Sequence, residues 1–241
     1  MLLVLGLSLK RAGQSQSCGR LSPGKIVDLV QLTDRNQVYP GEPVAGKEGV
    51  LTIRGGKFRG KKLKVPPGKS VRPTTDRARE RAFQLIEQRF RHPDGRARWA
   101  GARVLDAFAG TGALGIEAAS RGARHITFWD ISTKQAKALE DLIRTIDGFD
   151  SVVSCQNALA PPPGLPADLI FLDPPYNLGL LDRAVKILAK SGWIGPSTLI
   201  YGETEAGCNR PMSCRVIVQK PEANSILWLL RWTGDIDQTR L

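Results

Sequence analysis

A chain of 241 residues can bury one sizeable core with a small appendage, so a single main domain is the expectation. Its 35 lysines and arginines against 23 acids give a net charge of +12, and the excess is segregated: residues 51–103 hold sixteen of the bases and four of the acids, leaving nineteen of each elsewhere. A basic segment beside a neutral body argues for a phosphate-rich partner, nucleic acid above all. Cys18, Cys155, Cys208 and Cys214 lack metal-ligand spacing, and His92 and His125 sit in unrelated contexts, so metal and histidine chemistry have little to work with. The cysteines read as four free thiols of a reducing cytosol, and a cytoplasmic protein is expected.

Residues 1–50 come first and show no periodicity. The apolar run 1–9 is too short to span a bilayer, and Lys10-Arg11 follows it, the reverse of a secretory signal. The absence of acids before Asp28 leaves a weak organelle-targeting reading. A disordered extension and a start codon assigned too far upstream are the other readings.

From residue 51 a short hairpin, 51–53 with 61–65, surrounds a basic glycine-rich turn and is broken by Pro66-Pro67-Gly68. Thr74 or Thr75 would cap a helix running to about residue 90, with Ala78, Ala82, Phe83, Leu85 and Ile86 as its buried stripe. Strands and helices then alternate: strand 103–108, helix 112–121, strand 125–130, helix 133–146, strand 151–155, strand 168–173, helix 180–190 and strand 198–203. Residues 214–219 and 225–232 read as two more strands. The link between them is too short for a parallel crossover, which implies an antiparallel hairpin.

The run from Asp168 to Tyr176 carries the most chemistry. An apolar strand stops at Asp173-Pro174-Pro175-Tyr176, because prolines lack the N–H that a ladder needs. A stiff loop at a strand's carboxyl end thus offers a carboxylate, carbonyls and an aromatic ring. Those parts suit a planar amine, whose N–H bonds need acceptors and whose ring needs a face. Upstream, the strand ending at Phe108 leads into Ala109-Gly110-Thr111-Gly112-Ala113-Leu114-Gly115, and eighteen residues after Gly112 the next strand ends in Asp130. Glycines there let a ligand approach the backbone, and a strand-end acid suits the hydroxyls of a ribose. A dinucleotide would put its pyrophosphate on the helix N-terminus. S-adenosylmethionine carries positive charge instead and favours a nearby carboxylate, which Asp106 supplies.

These motifs together resemble the class I S-adenosylmethionine-dependent methyltransferases that modify exocyclic amines. More narrowly, the blocks Arg54–Leu63 and Arg72–Glu80 resemble the bacterial family that methylates N2 of a guanine in 16S ribosomal RNA; the resemblance runs from about residue 51 to about 232. It implies a doubly wound, mainly parallel seven-stranded sheet with an antiparallel C-terminal hairpin, preceded by a small basic hairpin and helix. The chain would divide into the extension 1–50, an RNA-binding hairpin and helix 51–98, a catalytic domain 99–233 and a tail 234–241. The resemblance assigns the cofactor to Asp106, Phe108, Gly110, Gly112, Asp130, Ile131, Asn157 and Ala158, and catalysis to Asp173, Pro174, Pro175 and Tyr176. It assigns RNA contacts to Arg54, Lys57, Arg59, Arg72, Thr74, Arg77 and Arg79, with Arg77, Arg79 and Arg81 flanking the cleft. No metal is implied, and no membrane. The partner would be 16S ribosomal RNA, as a small-subunit assembly intermediate with ribosomal proteins. Ser132 stands where the family usually has a second acid, and Asn157 where related enzymes often have one; its carbonyl oxygen can still accept a hydrogen bond. Methylation of adenine N6 in DNA or RNA, and a non-catalytic RNA-binding role in ribosome assembly, remain alternatives.

Overall fold

Short apolar runs separated by glycine turns and amphipathic stretches dictate alternating strands and helices, and the computed structural model has them in the expected order. It describes residues 49–65, 73–175, 179–208 and 211–234, so the expectations for 1–48 and 235–241, for Arg72 and for Tyr176 fall outside the described residues. A hairpin of β1 (Gly49–Thr52) and β2 (Lys62–Val65) comes first, its turn tightened by a 3-10 helix at Gly56–Phe58. Next come α1 (Pro73–Arg89), β3 (Arg103–Asp106), α2 (Ala113–Ser120), β4 (His125–Asp130) and α3 (Thr133–Ile143). The chain continues through β5 (Asp150–Cys155), β6 (Leu169–Leu172), α4 (Leu180–Lys190), β7 (Leu199–Glu205), β8 (Cys214–Pro221) and β9 (Ser225–Trp232).

The main sheet has seven strands in the order β5-β4-β3-β6-β7-β9-β8. The first five run parallel, while β9 pairs antiparallel with both β7 and β8. Strand order therefore reverses between β3 and β6, and at such a switch point an open α/β sheet leaves a crevice outside its carboxyl ends. Asp106 and Asp130 close β3 and β4 at that edge, and Asp173 follows directly on β6.

Two apolar layers hold the sheet. One face packs under α1, α2, α3 and the hairpin, joining Leu51, Ile53, Phe83, Ile116, Phe128 and Phe171; α4 covers the other with Leu181, Val185 and Leu188. The hairpin thus shares its core with the sheet. Glycine at 115 is what seats α2 on the sheet, since a Cβ there would lie 2.2 Å from the Phe128 ring.

Two expectations need correction. Helix α1 starts at Pro73, ahead of the expected caps Thr74 and Thr75, because proline's fixed φ suits a first helical turn. Cys155 and Cys214 are free thiols, but Cys208 is disulfide-bonded, so four free thiols is not the outcome. Among the described residues no helix is long and apolar enough to cross a membrane.

Candidate active site

The glycine loop leaves β3 and is pinned to strands on both sides. Ala107 N–H donates to the carbonyl of Phe171 and Ala109 N–H to that of Trp129, at 3.1 and 2.8 Å. Gly110 (φ 51°) and Gly112 (φ 75°) adopt the left-handed conformation that L side chains avoid, and the space beside the Gly110 α-carbon is empty. A bare backbone at the crevice floor is what a ligand lying on the loop requires.

Three carboxylates surround this floor. Asp130 accepts from Gly110 N–H (2.9 Å) through one oxygen and from Ser132 N–H (2.8 Å) through the other, tying the glycine loop to the start of α3. Burial pushes its pKa up, against the pull of those two N–H groups. Asp106 is fully buried and accepts from Gly115 N–H at 3.0 Å. Burial raises its pKa to about 7; the Gly115 bond opposes this and the Asp130 charge adds to it. Asp173 is raised to about 8, by the protein crowded round it first and by the charges of Glu203 and Asp106 next. Its side chain still meets solvent, so water softens the first cause and leaves the two like charges.

This donor set discriminates between cofactors. A carboxylate already occupies the N-terminal turn of α2, where a pyrophosphate would have to sit, and it would repel one. A cationic group bearing a ribose fits the same place. Half-buried Phe108 lies at the start of the loop, Ile131 is exposed beside Asp130, and Ala158 is buried next to half-buried Asn157. The Asn157 side-chain oxygen accepts from Leu159 N–H at 2.8 Å, which uses one of its two lone pairs. Pro174 is buried and Pro175 exposed.

The basic segment divides in two. At 100° per residue, Arg77 and Arg81 share one face of α1, while Arg79 points the opposite way. Arg77 is exposed; Arg79 is buried, donates to Thr52 C=O and Asp76, and lies 3.5 Å from Glu117. An RNA phosphate has no access to Arg79, and its assignment to the RNA surface is corrected accordingly. Arg54 is half-buried and donates to Asp76 at 2.7 Å. Lys57 and Arg59 are exposed, the former with its ammonium on Gly148 C=O and over the Phe58 ring.

Sequence reading missed the residue that organises this region. Glu117, fully buried in α2, accepts from the N–H groups of Arg54 (3.1 Å) and Gly55 (2.8 Å) and pairs with Arg121, which in turn pairs with Glu87. The one local signal was the four-residue spacing of Glu117 and Arg121 along a helix. Among the described residues no group of His, Cys, Asp and Glu is arranged to hold a metal ion.

Comparison with known proteins bears on this geometry. The sequence profile of the family described as conserved hypothetical protein 95 matches residues 51–230. The chain belongs to this family. Among its relatives is the ribosomal RNA small subunit methyltransferase D of Escherichia coli K12, 35% identical over 166 residues, or 68% of this chain and 79% of that one. The protein of the same name from Haemophilus influenzae is 33% identical over 164 residues, 66% of this chain and 80% of that one. A solved structure of a candidate methyltransferase, yhhF of Escherichia coli, has a TM-score of 0.66 at 32% identity, covering 77% of this chain and 99% of the other. The mixed seven-stranded sheet is the class I methyltransferase fold.

Proposed function

We propose that this chain is an S-adenosylmethionine-dependent methyltransferase acting on the exocyclic N2 amine of a guanine in 16S ribosomal RNA. The observation that carries the reading is that Asp173-Pro174-Pro175 leaves β6 next to where the glycine loop leaves β3, at the switch point, with Asp106 near enough for its charge to act on Asp173. The names of the relatives, which specify small-subunit ribosomal RNA, support the substrate class. The fold implies the cofactor, and Asp106, Asp130, Gly110 and Gly112 would hold it. When bound, it supplies a methyl group already activated by a positively charged sulfur.

The chain's own residues do the rest. An exocyclic amine is a poor nucleophile, because its lone pair is delocalised into the ring. The Asp173 carboxylate and the Pro174 carbonyl accept its two N–H bonds, which lets the nitrogen pyramidalise and aims its lone pair into the crevice. Positive charge growing on that nitrogen is stabilised by Asp173. The base has to leave its stack to reach this edge, and Tyr176, three residues beyond Asp173 in the sequence, supplies a ring to receive it. Most of the acceleration comes from positioning and electrostatics. Lys57, Arg59 and Arg77, exposed on the basic segment, serve as phosphate contacts.

The test is transfer from radiolabelled S-adenosylmethionine to unmethylated small-subunit ribosomal RNA, with and without its ribosomal proteins, followed by mass spectrometry of the digested nucleosides. N2-methylguanosine is the expected product. N6-methyladenosine would replace the guanine reading by the adenine one, and no transfer under either condition would remove the enzyme reading.

A further inference from the structure

Strand β7 runs three residues past its last pairing with β6, Gly202 opposite Leu172. Alternation along a strand puts Tyr201 and Glu203 on one face. Phe171 pairs with Tyr201, with ring centroids 5.6 Å apart, and two residues on along each segment come Asp173 and Glu203, near enough for the Glu203 charge to push the Asp173 carboxyl up. Glu203 is held in place from two directions. Its backbone is paired with Leu227 of β9, and its carboxylate accepts from the Tyr201 hydroxyl. With Pro174, Pro175, Gly179 and Thr204 it lines a shallow open cleft. The mechanism above has no use for this residue.

We propose that Glu203 reads the Watson–Crick edge of the target base and restricts the reaction to guanine. The proposal rests on the guanine-N2 reading. Guanine carries two adjacent donors on that edge, the N2 amine and N1–H, whereas adenine carries its N6 amine beside a bare N1 acceptor. With the amine on Asp173, the neighbouring ring position falls toward Glu203. A carboxylate there accepts N1–H from guanine and repels the N1 lone pair of adenine. A carboxylate has about four lone-pair sites, so Glu203 can accept N1–H beside the partners it already has. Sites built to hydrogen-bond a substrate group reject analogues lacking it, because their own polar groups are left unpaired.

Inhibition of ribosomal RNA methylation by mononucleotides tests this. Guanosine 5′-monophosphate is compared with 2-aminopurine riboside 5′-monophosphate, which keeps the N2 amine but has a bare N1. Wild type should prefer the guanine nucleotide by roughly tenfold or more, the scale of one well-placed pair of base-edge bonds. In Glu203→Gln the side-chain amide can donate to a bare N1, so the preference should shrink to within about threefold. S-adenosylmethionine affinity should stay within about threefold of wild type, which a merely unfolded variant would not manage. No preference in wild type, or one unchanged by Glu203→Gln, overturns the proposal. Mass spectrometry of the wild-type product separates the two failures: N2-methylguanosine with an unchanged preference sinks only the role of Glu203, while another methylated nucleoside sinks the guanine reading itself.

Discussion

Replacing Glu117 by alanine should cost the fold about 4 kcal/mol. The carboxylate is fully buried and faces Arg121 and Arg79, whose side chains are 8% and 5% exposed. Removing one member of a buried ion pair costs about 3–5 kcal/mol, because an uncompensated charge is left behind. Here the low end applies, since Glu87 still pairs with Arg121 and Asp76 with Arg79. The N–H groups of Arg54 and Gly55 lose their acceptor as well, but both residues are only half-buried and water takes its place, so together they add about 1 kcal/mol. At about 2–4 °C per kcal/mol for a chain of this size, the melting temperature should fall by about 8–16 °C. Glu117→Gln keeps an acceptor and loses the charge, so roughly half that loss is expected. Urea unfolding of the three proteins measures the effect, and limited proteolysis should show earlier cleavage near residues 55–61 in the alanine variant. A loss below about 1 kcal/mol for Glu117→Ala would refute the claim that this carboxylate anchors the hairpin.

Asp173→Ala should abolish methyl transfer while S-adenosylmethionine affinity stays within about tenfold, and a variant keeping more than a tenth of wild-type turnover would contradict its role. Because the protonated carboxyl is a weaker acceptor with no charge to offer the amine, and the like charges of Glu203 and Asp106 push the free carboxyl up, kcat/KM should rise with pH through a pKa above the ordinary carboxylate range; a flat profile would count against it. Asp130→Ala should weaken the cofactor by about 1.5–3 kcal/mol in calorimetry, and unchanged affinity would leave Asp130 as a loop tie alone. Asp106 is protonated in the fold up to about pH 7 but ionised in the unfolded chain above about pH 4. Its contribution to stability therefore falls as pH rises through that window, by up to about 1.4 kcal/mol per pH unit, and Asp106→Asn should remove the slope in pH-dependent melts. Replacing Lys57, Arg59 and Arg77 together by alanine should flatten the log–log salt dependence of RNA binding by roughly two to three units, and an identical slope would dismiss them as phosphate contacts.

The order of elements was legible because period-2 and period-3.6 patterns are local, and α4 matches its expected span of 180–190. Boundaries drifted where tertiary pairing extends or cuts an element. Strand β7 continues to Glu205 because β9 accompanies it, while β3 stops at Asp106 because the glycine loop turns away toward Trp129. The glycine loop with its strand-end acids Asp106 and Asp130 was legible because these residues fall within one strand-turn-helix-strand unit. Glu117 and Glu203 were not, for a shared reason: each acquires its meaning from partners brought beside it by sheet and hairpin packing. Arg79 shows a different failure, since its burial follows from helical phase, which a count of basic residues ignores.

Helix α2 is only eight residues long, yet its first turn follows the glycine loop and its middle anchors the basic hairpin. Both fittings depend on the spacing from Gly112 to Glu117. Inserting one residue between them would swing Glu117 round by 100° and carry it 1.5 Å along the axis, from beneath the hairpin into the sheet or out to solvent. Even a whole added turn would move it by 5.4 Å. This stretch should therefore tolerate the exchange of one side chain for another but no change of length, whereas a connection such as residues 161–166, outside the crevice, should absorb an insertion more readily.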